Sequence, residues 1–197
     1  MSHEFNDAEM IEPLHITTRE ELRNWYEQNH DSAPEMAIPC HKGKAERPGI
    51  IRYLDAVEEA LCFGWIDSST KSIDGVFYQR FSPRRKTSEF SALNYYRCQR
   101  LERLGLMTDA GRAVIPSDIE QRLIPKPDII AALNADPVVW QNFQRFPEMY
   151  RTIRLWNVER RRHYPKEFES ILHNLIEKTR KGQMYGDWND GGRLLEE

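Results

Sequence analysis

The sequence predicts an α+β fold, a small antiparallel sheet packed with helices and followed by an all-helical C-terminal region, from three observations. Ile50, Leu54, Val57 and Leu61 recur at helical spacing. Just beyond them, two extended stretches flank Ile73-Asp74-Gly75, a sequence with the chemistry of a tight hairpin turn. From residue 128 onward the apolar pattern is helical only, with an Asp-Pro start at Asp136-Pro137. Size permits such a fold, because 197 residues can bury a core without disulfide or metal staples. An aromatic content of 11% argues against a disordered chain, which is poor in such rings to bury.

The elements follow in order. Leu14-His15-Ile16 alternates as a short strand does. Thr17 and Thr18 lie three residues before Glu20 and Glu21, a capping-box spacing. Leu22, Trp25 and Tyr26 then give a short amphipathic helix to about His30. Residues 35–40 read as a strand and 41–49 as a polar loop closed by Pro48-Gly49. The helix beginning at Ile50 puts Asp55, Glu58 and Glu59 on the side away from its apolar stripe, and Gly64 stops it. A hairpin spans 65–81, with Phe77 and Phe81 on one face and Tyr78 and Arg80 on the other. Ser88 serves as N-cap of a helix through Leu104, and Thr108 caps a brief helix to about Ile115. Further helices open at Pro137, Pro147 and Pro165, the last with a stripe from Phe168 to Thr179 ended by Gly182. The implied division is an α+β domain over 14–115, a connector over 116–127, a helical region over 128–182 packed on the first, and a flexible tail over 183–197.

Composition narrows the function classes. A net charge of −3 excludes bulk electrostatic attraction to nucleic acid or anionic lipid. A mean hydropathy of −0.72 and no long apolar run argue against a membrane span. Segment 1–7 has neither the basic nor the apolar region of a secretory signal, and Cys40, Cys62 and Cys98 are odd in number and widely spaced. A cytoplasmic protein with reduced thiols is expected, with no metal site and no cofactor. No dinucleotide fingerprint, Walker loop or nucleophile elbow is present.

Charge is nevertheless uneven. Residues 1–40 carry nine acidic and two basic side chains, whereas 80–103 carry seven basic and two acidic, and 151–166 six basic and one acidic. The stretch 65–94 holds the candidate ligand-binding residues Trp65, Asp67, Lys71, Arg80, Arg84, Ser88, Ser91 and Asn94. A helix start at Ser88 would present unpaired amides, and guanidinium forks beside it can grip a carboxylate or phosphate. The same basic run serves equally as a solvated loop. Asp67 is open to two readings, an acid–base group beside Lys71 and Arg80 or a hairpin aspartate bonding backbone. Arg160-Arg161-Arg162, flanked by Trp156 and Tyr164, reads as a stabilised helix end or as an adaptor surface for nucleic acid or protein.

The block 55–67 (DAVEEALCFGWID), the segments 78–84 (YQRFSPR) and 88–94 (SEFSALN), and 104–111 (LGLMTDAG) together resemble the YdeI/OmpD-associated family, also called bacteriocin-protection proteins. The likeness spans about 14–182 and departs at Phe90, where the family carries tryptophan, and in the loop 41–48. What it implies is a bacterial cytoplasmic protein linked to tolerance of bacteriocins or antimicrobial peptides. It implies no particular reaction. The expectation from residues and resemblance together is a protein that binds a small anionic ligand in a basic pocket, with the Asp67 enzyme and the Arg160–Arg162 adaptor as alternatives.

Overall fold

A computed structural model of the chain describes residues 11–43, 45 and 47–195. The acidic segment 1–7 lies outside them. The described chain divides into two units, one taking the chain up to Glu89 together with Cys98–Ile115, the other Phe90–Arg97 together with the chain from Pro116 onward.

In the first unit, the Thr18 hydroxyl accepts from the Glu21 amide and the Glu21 carboxylate accepts in return from the Thr18 amide, and this reciprocal cap opens α1 (Arg19–Asn29). β1 (Met36–His41) follows, then β2 (Ile51–Arg52) and α2 (Tyr53–Cys62). Gly64, at φ +76°, reverses the chain into β3 (Trp65–Ile73). Asp74 and Gly75 both have positive φ and return it as β4 (Val76–Pro83), the geometry a two-residue hairpin needs. The sheet order is β2-β1-β4-β3. It is mixed, because the two residues of β2 run parallel to β1 while the other pairings are antiparallel. α2 lies against β1 and β3, and α1 against α2. Between them, Tyr26 meets Trp65 at 5.3 Å and stacks on Phe63 at 5.4 Å, all three rings buried.

Four expectations are corrected in this unit. Residues 14–16 form no strand; Leu14 makes one backbone bond, to the Ala37 carbonyl at 2.8 Å. The helix begins at Tyr53 rather than Ile50, because Ile51 and Arg52 are drawn into pairing with β1. Glu58 and Glu59 are not on a solvent face: each is 1% exposed. Glu58 accepts from Arg19 at 2.8 Å and Arg100 at 3.1 Å, and Glu59 from Arg19 at 2.6 Å and Arg23 at 3.1 Å. Two carboxylates are buried because cations from elsewhere in the chain are buried with them, as isolated charges could not be. Finally, the helix expected from Ser88 is α3 (Ala92–Arg103), which begins in the second unit and ends in the first. Its cap is Ser91, whose hydroxyl accepts from the Asn94 amide at 3.1 Å. α4 (Asp109–Ala113), capped by Thr108, closes the first unit.

The second unit is helical: α5 (Ile119–Arg122), α6 (Pro127–Asn134), α7 (Pro137–Arg145), α8 (Glu148–Glu159) and α9 (Pro165–Arg180). Ile129, Leu133, Val139, Phe143, Leu155, Val158 and Leu175 form its core. Asp136 caps α7 by accepting from Val138 at 2.8 Å. Residues 183–195, expected to be a loose tail, are built into this unit. Trp188 and Leu194 are buried, and Asp190 (3% exposed) takes two guanidinium bonds from Arg97 at 2.7 and 2.8 Å. A buried bidentate pair of this kind holds a segment in one position.

Candidate functional site

The site grows from an irregularity in the hairpin. Asp67 pairs with Phe81 and Thr70 with Gln79, so three steps along β3 match two along β4. The surplus residue is a β-bulge in an edge strand, a device that re-aims side chains and bends the strand. The bulge is fastened from β4. Gln79 is 1% exposed, and its amide nitrogen donates to the Ser69 carbonyl at 3.2 Å and the Arg80 carbonyl at 3.0 Å. The Ser68 hydroxyl donates to that same Arg80 carbonyl at 3.3 Å.

In a regular strand alternate residues face opposite sides. Here the bulge lets the consecutive residues 66–70 all line one cavity of about 810 Å³, within the range of small-molecule sites. Arg80, Arg84 and Arg85 line it as well, with Glu35 and Ser88. Arg80 forms an ion pair with Glu35. Arg84 is 9% exposed; its amide donates to the Gly64 carbonyl at 2.9 Å and its guanidinium to the Glu89 carbonyl at 2.8 Å. Burial lowers the Arg84 pKa from its ordinary value, while Cys98 and Asp67 pull the other way. Arg85 is exposed. Asp67 accepts from the Tyr53 hydroxyl at 2.7 Å.

Of the residues expected at the site, Asp67, Arg80, Arg84 and Ser88 thus line one cavity. Lys71 lies further along β3 and does not. Trp65 is withdrawn, being 1% exposed with its indole N–H given to the His30 carbonyl at 3.0 Å. Ser91 and Asn94 are absent from the lining; they belong to the second unit, where they make the cap of α3. With the helix start goes the expected dipole at Ser88, so the cavity's positive charge comes from side chains alone. Sequence reasoning missed Glu35 and the wall 68–70. Glu35 is distant in sequence and left no signal. A Ser-Ser-Thr run within an otherwise alternating hairpin was a signal of irregularity.

The basic run at the end of α8 has partners of its own. Arg162 bonds Glu159 at 2.7 Å and Asp128 at 2.8 Å, Arg161 faces Glu167 at 3.3 Å, and Arg160 lies over the Trp156 ring at 4.7 Å. Among the described residues, no group of three His, Cys, Asp or Glu is placed to hold a metal, and no helix is long and apolar enough to cross a membrane. Burial pushes the Cys40 and Cys62 thiols up to about 12, which keeps both protonated and unreactive.

Fold and site define an α+β domain with a polar, arginine-lined cavity beside a bulged hairpin. Residues 14–114 match a family described as a domain of unknown function, DUF8412, and with half its length covered the chain belongs to that family. No curated protein and no solved structure matches it.

Proposed function

We propose that this protein binds a small anionic ligand in the cavity between the bulge of β3 and the segment 80–88. The carrying observation is Arg84, a cationic residue only 9% exposed in the cavity wall. A cation withdrawn from water gains from negative charge brought close to it, which favours an anionic ligand beside Arg84. Arg85 adds a second positive charge at the same cavity. The resemblance to the YdeI/OmpD-associated proteins supports placing this binding in the bacterial cytoplasm and in tolerance of bacteriocins or antimicrobial peptides.

The alternatives draw less support. As an acid–base group Asp67 has the Tyr53 hydroxyl but no second ionisable side chain hydrogen-bonded to it among the described residues. As an adaptor surface, Arg161 and Arg162 already face carboxylates. A thermal-shift series with phosphate and citrate at fixed ionic strength tests the binding reading. Both anions should raise the melting temperature of the native protein, and Arg85→Ala should reduce the shift. No shift with either anion, or the same shift in the variant, overturns it.

A further inference from the structure

We propose that the anion is a sugar phosphate, a ligand carrying hydroxyl groups beside its phosphate. This rests on the anion-binding reading above and goes beyond it. The cavity offers more than a bare anion uses. Arg80 is engaged by Glu35, so the rest of the wall sets Arg84 and Arg85 against the negative charge of Asp67. An ion with no donor to offer meets that carboxylate as a repulsion.

Asp67 itself states what it needs. One oxygen, Oδ2, accepts from the Tyr53 hydroxyl at 2.7 Å. The other, Oδ1, has no hydrogen-bond partner among the described residues, and the residue lines the cavity. A carboxylate is an acceptor only, so its complement is a ligand O–H, the way an acidic side chain reads a ribose hydroxyl in dinucleotide sites. Beside it the bulge brings Ser69 and Thr70 in succession to the cavity, adding hydroxyls that both donate and accept. A polyol meets that wall group for group. The exposed Arg85 can grip a phosphate directly and Arg84, whose guanidinium donates to the Glu89 carbonyl, adds positive charge in the wall, matching a phosphate carrying between one and two negative charges.

Size and lining separate a sugar phosphate from a nucleotide. About 810 Å³ admits either, but among the described residues no aromatic ring lines the cavity, and the apolar contributions there come from Pro34, Ile66 and Pro83. A base finds no stacking face there, whereas stacking is a main source of affinity where bases are held.

Isothermal titration of the full chain at fixed ionic strength decides the matter, with ribose 5-phosphate, glucose 6-phosphate, inorganic phosphate, ribose and AMP as probes. One sugar phosphate should bind roughly tenfold or more tighter than inorganic phosphate, the gain from hydroxyl contacts to a charged acceptor. Asp67→Ala should bring that ligand to within about twofold of phosphate, and Tyr53→Phe, which frees Asp67 without removing it, should give a smaller loss. Arg85→Ala should weaken phosphate and sugar phosphate alike. Phosphate binding as tightly as both sugar phosphates overturns the sugar-phosphate class and leaves the anion reading standing. AMP binding more than tenfold tighter than ribose 5-phosphate overturns it in favour of a nucleotide. Binding of none of the five overturns both readings.

Discussion

Replacing Glu59 by glutamine probes the feature that most contradicts the helical pattern of α2, a fully buried carboxylate on its expected polar side. Glu59 is 1% exposed and accepts from Arg19 Nε at 2.6 Å and Arg23 Nη1 at 3.1 Å. Glutamine keeps the volume but turns one acceptor into a donor facing a guanidinium that also donates. Each charge-assisted bond is worth about 1.5–3 kcal/mol when desolvated. The side chains of Arg19 and Arg23 are 32% and 28% exposed, so water solvates them once released, and about half of that sum survives screening. Arg19 also keeps Glu58 at 2.8 Å. The expected loss is about 2 kcal/mol, or roughly 4–8 °C in melting temperature for a chain of this size. Urea unfolding should give a lower midpoint at an unchanged m-value, and hydrogen exchange should rise in α1 and α2. Arg23→Met should couple to the change in a double-mutant cycle. A loss below about 0.5 kcal/mol would refute the reasoning, since that is the magnitude of a surface pair.

Three further outcomes are expected. A Cβ on Gly111 would lie 2.2 Å from the Cys62 carbonyl oxygen, so Gly111→Ala must push α4 away from the end of α2; a loss of about 3 kcal/mol is expected in urea unfolding, and an unchanged midpoint would show that the close approach is not rigid. Cys40 and Cys62, buried and pushed up to about 12, should not react with a thiol reagent at pH 8 in the native state and should react on denaturation; labelling of either at the rate of a free thiol would contradict their burial. Gln79→Leu removes the side-chain bond that reaches the Ser69 carbonyl of the bulge from β4 and leaves the Ser68 bond to the Arg80 carbonyl, so hydrogen exchange over 67–70 should rise and phosphate affinity should fall several-fold; unaltered exchange there would mean that the bulge holds without Gln79.

Much of the scaffold was legible because its signals are local. The Thr18–Glu21 box, the Asp74-Gly75 turn, the stop at Gly64 and the Asp136-Pro137 start each involve residues a few positions apart, whose backbone preferences act without help from the rest of the chain. The candidate site was legible in part for the same reason. Asp67, Arg80, Arg84 and Ser88 sit on or just after one hairpin, and a hairpin brings its own strands together.

What tertiary structure decided lies at long range. Glu58 and Glu59 read as solvent-facing until Arg19, Arg23 and Arg100 arrive from α1 and α3, and pairing rather than periodicity sets their burial. Trp65 stands among the ligand candidates in the sequence, but its indole N–H is taken by a carbonyl 35 positions away. The 183–195 segment is polar in composition yet held by Asp190 against Arg97, a partner 93 residues distant. By itself, then, the sequence determined where the backbone turns, caps and stops, because those choices are made by neighbouring residues. Which charges are buried, and which side chains share the cavity, was decided only in the folded chain, where desolvation and pairing depend on groups that meet only there.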